Sequence, residues 1–234
     1  MDSLKKEKVL VTGGAGFIGS HLVERLVEAG HDVLVVDALT TGKREYVHPK
    51  ARFVSMDVWY DYKKLQKLIV KERPDVTFHL AAHKDVRASI QRPIDDAHTN
   101  IIGTLNVLEG VRKAGGGRVV LTSSIAVCSA DAKLPIEETC AIRPSSPYGI
   151  SKHAAEMYMW HYSELNRMAC VSLRLTNVYG PRQSLEGAGV ITIFIKKMLS
   201  GEAPTIFGSG AQTRDFVYVD DVVDALLRIM TIRH

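Results

Sequence analysis

Short runs of apolar residues alternate along the chain with longer stretches in which apolar positions recur every three or four residues. Such runs are typical of buried strands, and the spaced positions are typical of amphipathic helices. The runs predict strands over 8–12, 33–36, 52–55, 76–80 and 118–122. Because strands and helices alternate, we expect an α/β fold built on a parallel, doubly wound sheet with right-handed crossovers.

The spaced positions between these runs predict the helices. Ile18, Leu22 and Leu26 form one face of a first helix. Gly30 follows as a suitable helix stop. Further helices are predicted over 62–72, 94–114 and 222–230.

A glycine-rich turn joins the first predicted strand to the first predicted helix. Its glycines fit two spacings, Gly14-x-Gly16-x-x-Gly19 and Gly13-x-x-Gly16-x-x-Gly19. A pyrophosphate can approach the N–H groups of a helix start only where no β-carbon intervenes, and the helix dipole favours its charge. The turn therefore predicts a Rossmann-like dinucleotide site. Its expected cofactor contacts are Gly13, Gly16, Phe17, Ile18 and Gly19.

An acidic residue, Asp37, ends the second predicted strand. A carboxylate at this place accepts hydrogen bonds from the adenosine ribose and repels a 2′-phosphate, so NAD is favoured over NADP. Lys43 and Arg44 lie close enough in the sequence to keep NADP as an open alternative.

Ligands of doubly wound sheets bind at the carboxyl ends of the strands. There, Asp57 could meet the adenine amino group, and Lys84 could meet the ribose or phosphates. Each is explained equally well as an ordinary loop residue. The other predicted cofactor contacts are Val58, Leu80, Ala81, Ala82, Asn100, Ser123, Tyr148 and Lys152.

Two residues near the middle of the chain predict acid–base chemistry. Ser146 suits an N-cap and Pro147 suits the first helical position, so Tyr148 and Lys152 are expected one turn apart on a helix. The ammonium and the helix N-terminus would lower the pKa of the phenol, which could then act as a base. By itself this spacing is usual for surface residues. The dinucleotide site, and Ser124 at the end of the fifth strand, favour the catalytic interpretation.

Composition narrows the class of protein. With 46% hydrophobic and 24% charged residues, the 234-residue chain is an ordinary globular protein of one domain or one and a part. Lys5, Lys6 and Lys8 supply much of the net charge of +4. We expect them to form a solvated tail, not a nucleic-acid patch.

The cysteines and the apolar runs bear on location. Cys128, Cys140 and Cys170 are an odd number without metal-ligand spacing, which favours a reducing compartment and no metal site. No apolar stretch approaches membrane-spanning length, and the polar N-terminus is unlike a signal peptide. A cytoplasmic protein without membrane or nucleic-acid partners is expected.

Together, the glycine turn with Asp37, the strand-end Ser124 and Tyr148-x-x-x-Lys152 resemble the extended short-chain dehydrogenase/reductase family. More narrowly, they are similar to its NAD-dependent nucleotide-sugar epimerase/dehydratase group. The segments 174–182 and 207–221 resemble that group's sugar-nucleotide segments. The resemblance implies a UDP-sugar substrate and substrate contacts at Lys84, Ser124, Tyr148, Asn177, Phe207 and Arg214.

The resemblance assigns roles to the last three of these residues. It places Asn177 at the sugar-nucleotide phosphates, Phe207 near the uracil and Arg214 on the diphosphate. A guanidinium fork matches phosphate oxygens, which suits Arg214. The alternative for Arg214 is a surface ion pair with Asp215 or Asp220.

Departures from the group's pattern refine the expected reaction. Sugar dehydratases carry Asp-Glu after the strand-end hydroxyl residue and UDP-glucuronate decarboxylases carry a glutamate, whereas Ser124 is followed by Ile125-Ala126. The resemblance therefore implies reversible 4-epimerisation of a UDP-hexose through a 4-keto intermediate. A nucleotide-sugar 4-reductase or dehydrogenase, and a non-catalytic NAD- or nucleotide-sugar-binding fragment, remain alternatives. Cys128-Ser129 replaces the usual Tyr-Gly, which leaves the path of the following loop open.

The same resemblance suggests how the chain is organised. We expect an NAD-binding domain over 1–175 and a partial nucleotide-sugar-binding domain over 176–234. Family members usually continue for several dozen residues, so this second domain looks truncated. The resemblance also implies a homodimer formed through the helices that follow Ile94 and Pro147.

Overall fold

The computed structural model describes residues 6–166, 168–185 and 189–231, so Lys5 and the outer ends of both predicted domains lie outside it. The strands are β1 (Lys8–Thr12), β2 (Asp32–Asp37), β3 (Arg52–Ser55), β4 (Val76–His79), β5 (Arg118–Ser124), β6 (Ala169–Leu175), β7 (Asn177–Tyr179) and β8 (Phe216–Tyr218). The helices are α1 (Phe17–Glu28), α2 (Tyr62–Glu72), α3 (Val86–Gln91), α4 (Pro93–Ala97), α5 (Gly103–Lys113), α6 (Pro147–Asn166), α7 (Val190–Leu199) and α8 (Val219–Thr231).

The first six strands form one parallel sheet in the order β3-β2-β1-β4-β5-β6. The strand order reverses beside β1, which is the point at which such sheets bind ligands. There Thr12, at the end of β1, lies opposite Val36 of β2 and His79 of β4. The predicted Rossmann-like, doubly wound fold is confirmed.

The sheet is buried on both faces because successive residues of a strand point to opposite sides. Val9 and Val11 of β1 pack in one cluster with Leu22 of α1 and Leu226 of α8. Leu10, between the two valines, packs in a second cluster formed largely by α2, α5 and α6. Each such buried side chain stabilises the fold by about 1.5–3 kcal/mol.

The helix predicted over 94–114 is present without a gap from Pro93 to Lys113, as α4, a π-helical segment (His98–Ile102) and α5. The π-helical segment and the short helix α3 before Pro93 were not predicted. Pro93 starts α4 because proline has no N–H with which to continue α3. At the start of α5, the hydroxyl of Thr104 donates a bond of 2.6 Å to the main-chain oxygen of Asn100, which lies in the π-helical segment.

The C-terminal part contributes a small sheet and one more core helix. β7 pairs in parallel with β8, apart from the main sheet. In contrast, α8 packs on α1, where Arg25 forms an ion pair of 2.8 Å with Asp224. The domain boundary predicted after Leu175 stays a prediction. No helix within the described ranges has both the length and the apolarity that crossing a bilayer requires.

Candidate active site

The glycine turn lies between β1 and α1, in close contact with the loop that follows β4. Gly13 has φ +73°, and a β-carbon there would lie 2.6 Å from the amide nitrogen of Ala81. A β-carbon on Gly19 would lie only 2.1 Å from the main-chain oxygen of Gly13. Glycine is therefore required at both positions, as the predicted close approach of helix and strand demands.

Asp37 is directly joined to this turn. Its Oδ2 accepts a hydrogen bond of 2.9 Å from the amide of Ala15, and its Oδ1 accepts one of 2.7 Å from Leu39. Gly16 is the N-cap of α1 and provides no side-chain bond to the helix, so the half-buried Phe17 and Ile18 follow an open helix start. The turn, the helix start and the acid therefore form one site.

The ends of β3 and β4 lie near this turn. Leu80 donates from its amide to the main-chain oxygen of Thr12 at 3.0 Å, and Ala81 donates to the Thr12 hydroxyl at 3.4 Å. Val58 is buried, and its main-chain oxygen accepts a bond of 3.0 Å from Asn106. The loop after β4 is therefore fixed by bonds to β1, and the loop after β3 by a bond to α5.

Three predicted cofactor residues of these loops differ in their surroundings. Oδ1 of Asp57 accepts main-chain bonds from Trp59 and Tyr60 at 2.8 and 3.1 Å, so this carboxylate shapes its own turn. Ala82 is half-buried and Lys84 is exposed. Their predicted contacts with a cofactor stay predictions.

Tyr148 and Ser124 meet at the end of β5. Ser146 caps α6 as predicted, because its hydroxyl oxygen accepts a bond of 3.1 Å from the amide of Gly149. This helix start places Tyr148 near Ser124. Burial raises the pKa of the Tyr148 phenol above its ordinary value, and the Ser124 hydroxyl partly offsets this increase. The predicted lowering of the Tyr148 pKa by Lys152 is therefore not found in this structure.

Lys152 lies one turn later and is only 4% exposed. Its Nζ donates a bond of 2.9 Å to the main-chain oxygen of Thr122, next to the buried Ser123 on β5. Burial lowers the pKa of Lys152 to about 8, while the negative charges of Asp96 and Glu156 raise it. The ammonium is thus anchored to the strand beside the phenol.

His79 is a buried member of this site that the sequence analysis missed. Its Nδ1 lies 2.7 Å from the Thr12 hydroxyl and its Nε2 lies 3.0 Å from the Thr104 hydroxyl. Burial, and then the charge of Lys152, lower the pKa of His79 to about 3, so the ring is neutral. The sequence signal that could have identified His79 is its position as a polar residue within the apolar run 76–80.

Asn100 lies behind the site, not at its surface. Its Nδ2 lies within hydrogen-bond distance of the main-chain oxygen of His83 (3.0 Å), Oδ1 of Asp96 (3.1 Å) and the Ser151 hydroxyl (3.0 Å). Its Oδ1 accepts a bond of 2.9 Å from the His83 amide. The side chain ties the loop after β4 to α6, and its predicted contact with the cofactor stays a prediction.

The loop between Ser124 and Tyr148 contains a disulfide between Cys128 and Cys140. The prediction that all three cysteines are reduced is therefore wrong. Cys128 and Cys140 are paired, and Cys170 is a free thiol. The pairing was not predictable because the two cysteines are 12 positions apart in the sequence, and their approach depends on how the loop between them folds. A main-chain bond of 2.9 Å from Ser129 to Ala141 closes the same loop.

The predicted substrate residues of the C-terminal part lie on exposed loops and strand ends. Nδ2 of Asn177 donates a bond of 2.9 Å to the main-chain oxygen of Asp215, which places Asn177 close in space to the neighbouring Arg214. Arg214 is exposed, and its guanidinium donates to the main-chain oxygen of Thr213 at 2.7 Å, not to an acidic side chain. Phe207 is 80% exposed and is not gathered with them by a described contact.

Comparison with known proteins decides the family. The model of the NAD dependent epimerase/dehydratase family matches residues 9–233. The chain belongs to this family. The UDP-glucose 4-epimerase of Mycolicibacterium smegmatis is 43% identical over 228 residues, which cover 94% of this chain and 72% of that protein.

Solved structures of epimerases have the same fold as this member of the family. The UDP-glucose 4-epimerase of Thermotoga maritima, solved with UDP-glucose, has a TM-score of 0.92 and 43% identity, over 95% of this chain and 73% of its own. The UDP-N-acetylglucosamine 4-epimerase of Methanobrevibacter ruminantium, solved in complex with UDP-N-acetylmuramic acid, has a TM-score of 0.92 and 34% identity. The match covers 99% of this chain and 75% of that one.

NAD is the cofactor of this family, and the geometry of the site fits it. The space beside Gly13 and Gly19 admits no β-carbon, and Gly16 adds no side chain at the start of α1. A diphosphate would be held by the free N–H groups of this helix start. The buried carboxylate of Asp37 lies beside the turn, where it would bind the ribose hydroxyls.

Proposed function

We propose that this epimerase/dehydratase-family protein catalyses the reversible 4-epimerisation of a UDP-hexose, with UDP-galactose and UDP-glucose as the expected pair. One observation carries the proposal. Ser124 and Tyr148 meet at the end of β5, whereas the short 3-10 turn that follows Ser124, Ile125–Val127, contains no carboxylate. A dehydratase or decarboxylase needs a further acid or base at this place, and an epimerase does not. The named epimerases among the relatives support the same choice.

The chain's own part in the reaction is to place the sugar and move one proton. Tyr148 accepts the proton of the sugar 4-hydroxyl, and Ser124 orients that hydroxyl by a hydrogen bond. Lys152, which is charged below its pKa of about 8 and is fixed by its bond to Thr122, would hold the nicotinamide ribose. Bound NAD supplies the hydride acceptor and donor at carbon 4.

The nucleotide part of the substrate is assigned to the C-terminal loops and to Lys84. Arg214 offers a guanidinium fork to the diphosphate, and the exposed ring of Phe207 offers a stacking surface to the uracil. Asn177, close to Arg214, completes the phosphate contacts. The side chains of Arg214 and Phe207 are both exposed in the protein without substrate, which suits this assignment.

The test is the conversion of UDP-galactose by the purified protein with NAD, followed by chromatography of the nucleotide sugars. Conversion to UDP-glucose without net NADH formation supports the proposal. Stoichiometric NADH formation or consumption points instead to a 4-dehydrogenase or 4-reductase. Binding of NAD and UDP without turnover of any nucleotide sugar points to a non-catalytic binding protein. If UDP-galactose is not converted, a parallel incubation with UDP-N-acetylglucosamine shows whether the protein prefers acetylated sugars or is inactive.

We also infer a homodimer formed through the helices that follow Ile94 and Pro147. Apolar side chains are exposed there, among them Ile94 at 69% and Trp160 at 59%. Burying such side chains against a second copy is favourable. Light scattering should give a dimer for the native chain and a monomer for Trp160→Glu, and a native monomer at micromolar concentration contradicts the inference.

A further inference from the structure

Asp96, on α4, is a buried carboxylate that the predicted site residues do not include. The residue is 1% exposed, and its Oδ1 accepts a hydrogen bond of 3.1 Å from Asn100. In the part of the chain that the structure describes, its Oδ2 has no hydrogen-bond partner. An ionised carboxylate in such surroundings is costly unless a nearby positive charge compensates it.

A short chain of side-chain bonds connects Asp96 to the first turn of the catalytic helix. The Nδ2 group of Asn100 bonds both to Oδ1 of Asp96 and to the Ser151 hydroxyl, the latter at 3.0 Å. The Ser151 hydroxyl in turn donates a bond of 3.0 Å to the main-chain oxygen of Tyr148. Asp96 is therefore positioned next to the segment that carries both Tyr148 and Lys152.

The positive charge on which Asp96 acts is that of Lys152, on helix α6. Its ammonium is almost fully buried and has three N–H donors, of which the bond to Thr122 uses one. The negative charge of Asp96 raises the pKa of both Lys152 and Tyr148. Asp96 on α4 is thus placed to act on Lys152 of the adjacent helix α6.

Other titratable groups around Lys152 are already compensated. Glu156, on α6, forms a two-bond ion pair with Arg174 of β6 at 2.8 and 2.9 Å, so most of its charge is neutralised there. His79, on β4, is neutral because burial lowers its pKa to about 3. Burial raises the pKa of Tyr148, the Ser124 hydroxyl lowers it, and the negative charge of Asp96 raises it further. Asp96 is the acidic side chain of this group for which the described part of the structure shows no ion-pair partner.

We propose that Asp96 is a positioning residue whose carboxylate is the fixed counter-charge of Lys152 and, through Asn100 and Ser151, holds the first turn of α6 in place. The assignment to catalysis rests on the proposed function. The electrostatic part does not, because it is a property of the protein without substrate.

Removing this charge has a defined direction. Without the carboxylate, the Lys152 ammonium is less stabilised, so the pKa of Lys152 falls. The Tyr148 phenolate is less repelled, so the pKa of Tyr148 also falls. Both limbs of a bell-shaped pH profile therefore move to lower pH, which a purely structural loss would not produce.

The test compares Asp96→Asn with Asp95→Asn. Asparagine keeps the acceptor for Asn100 but removes the charge, and Asp95 is an exposed neighbour on the same helix that pairs with Arg92 at 3.9 Å. NMR of the protein labelled at the lysine ε-carbon follows Lys152, whose signal is identified by its loss in Lys152→Met. The pKa of Lys152 should fall by about one unit or more in Asp96→Asn and stay unchanged in Asp95→Asn.

An unchanged Lys152 titration in Asp96→Asn overturns the proposal. Asp96→Ser removes the same charge with a smaller side chain and serves as a second variant if the asparagine variant fails to fold, as judged by circular dichroism. The titration needs neither cofactor nor substrate, so an inactive wild-type protein would refute the proposed function and leave this test intact. In an active protein, a downward shift of both pH limbs is expected in Asp96→Asn alone.

Discussion

The amide of Ala15 donates a hydrogen bond of 2.9 Å to Oδ2 of Asp37, and this bond joins the glycine turn to the end of β2. The second oxygen of Asp37 is bonded to the amide of Leu39 at 2.7 Å. Each carboxylate oxygen can accept more than one hydrogen bond, so the same group can shape the turn and bind ribose hydroxyls. The acid thus serves both the fold of the turn and the binding of its cofactor.

Asp37→Asn should weaken NAD binding about tenfold or more. Hydrogen bonds to a charged group contribute about 1.5–3 kcal/mol, and about 1.4 kcal/mol corresponds to a factor of ten. Isothermal titration with NAD measures the effect. Asp32→Asn, at the other end of β2 in a surface ion pair with Arg52 at 3.6 Å, is the matched control. Equal NAD affinity in the two variants contradicts the assignment of Asp37.

Tyr148→Phe should lower the rate of epimerisation by about 10²–10⁴-fold and leave NAD binding nearly unchanged. The ring is kept, and only the group that takes the proton is removed. Tyr158→Phe, on the exposed side of the same helix, should be fully active. Initial rates by chromatography and NAD titration give both numbers. A rate within tenfold of the wild-type value would exclude Tyr148 as the base.

His79 should make the fold sensitive to acid. Its pKa is about 3 in the folded chain against an ordinary value of 6.5, so between these values the unfolded state binds a proton that the folded state does not. Stability is therefore lost as the pH falls through this window. Between pH 6.5 and 4 the loss should be on the order of 3 kcal/mol, at 1.36 kcal/mol for each pKa unit.

Urea unfolding of wild type and His79→Gln across this pH range tests the acid effect. The variant starts less stable because it disturbs the bonds to Thr12 and Thr104. Its stability should nevertheless depend less steeply on pH. His161→Gln, at an exposed position, should retain the wild-type slope. Parallel pH curves for His79→Gln and wild type would show that His79 is not the source.

Reduction of the Cys128–Cys140 disulfide should destabilise the protein by about 2–4 kcal/mol, the usual effect of closing a loop of this size. Thermal melts with and without reductant should differ for the wild type. They should coincide for the double variant Cys128→Ser/Cys140→Ser. If complete reduction leaves the melting temperature of the wild type unchanged, this account of the loop is contradicted. Because the pairing requires oxidation, the predicted cytoplasmic location needs its own measurement.

The sequence predicted the parts of the fold that depend on local pattern. The bounds of β1, β3 and α2 agree with the predicted 8–12, 52–55 and 62–72, because continuous apolar runs and a strong helical period identify such elements. The π-helical segment within the helix over 94–114 was not predictable in this way. An apolar period of three to four residues does not distinguish one π-helical turn from α-helix, and side-chain bonds such as that from Thr104 to the Asn100 backbone become visible only in the structure.

For the candidate site, the sequence indicated which residues would lie near one another but not the environment of each residue. The structure brings Ser124 and Tyr148 together and anchors Lys152 beside them, as their spacing indicated. The raised pKa of Tyr148 follows from burial, which a helical spacing does not reveal. Asp96 gave no signal because an acidic residue in a helix is usually exposed, and only the packing of α4 on α6 buries it.

The most direct test of the proposed reaction uses UDP-galactose deuterated at carbon 4, incubated with the protein and NAD. If the same hydride leaves carbon 4 and returns to it, the UDP-glucose formed keeps its deuterium at that carbon, and mass spectrometry finds no loss to solvent. UDP-glucose with hydrogen at carbon 4, or a product that has lost water or carbon dioxide, would contradict the account.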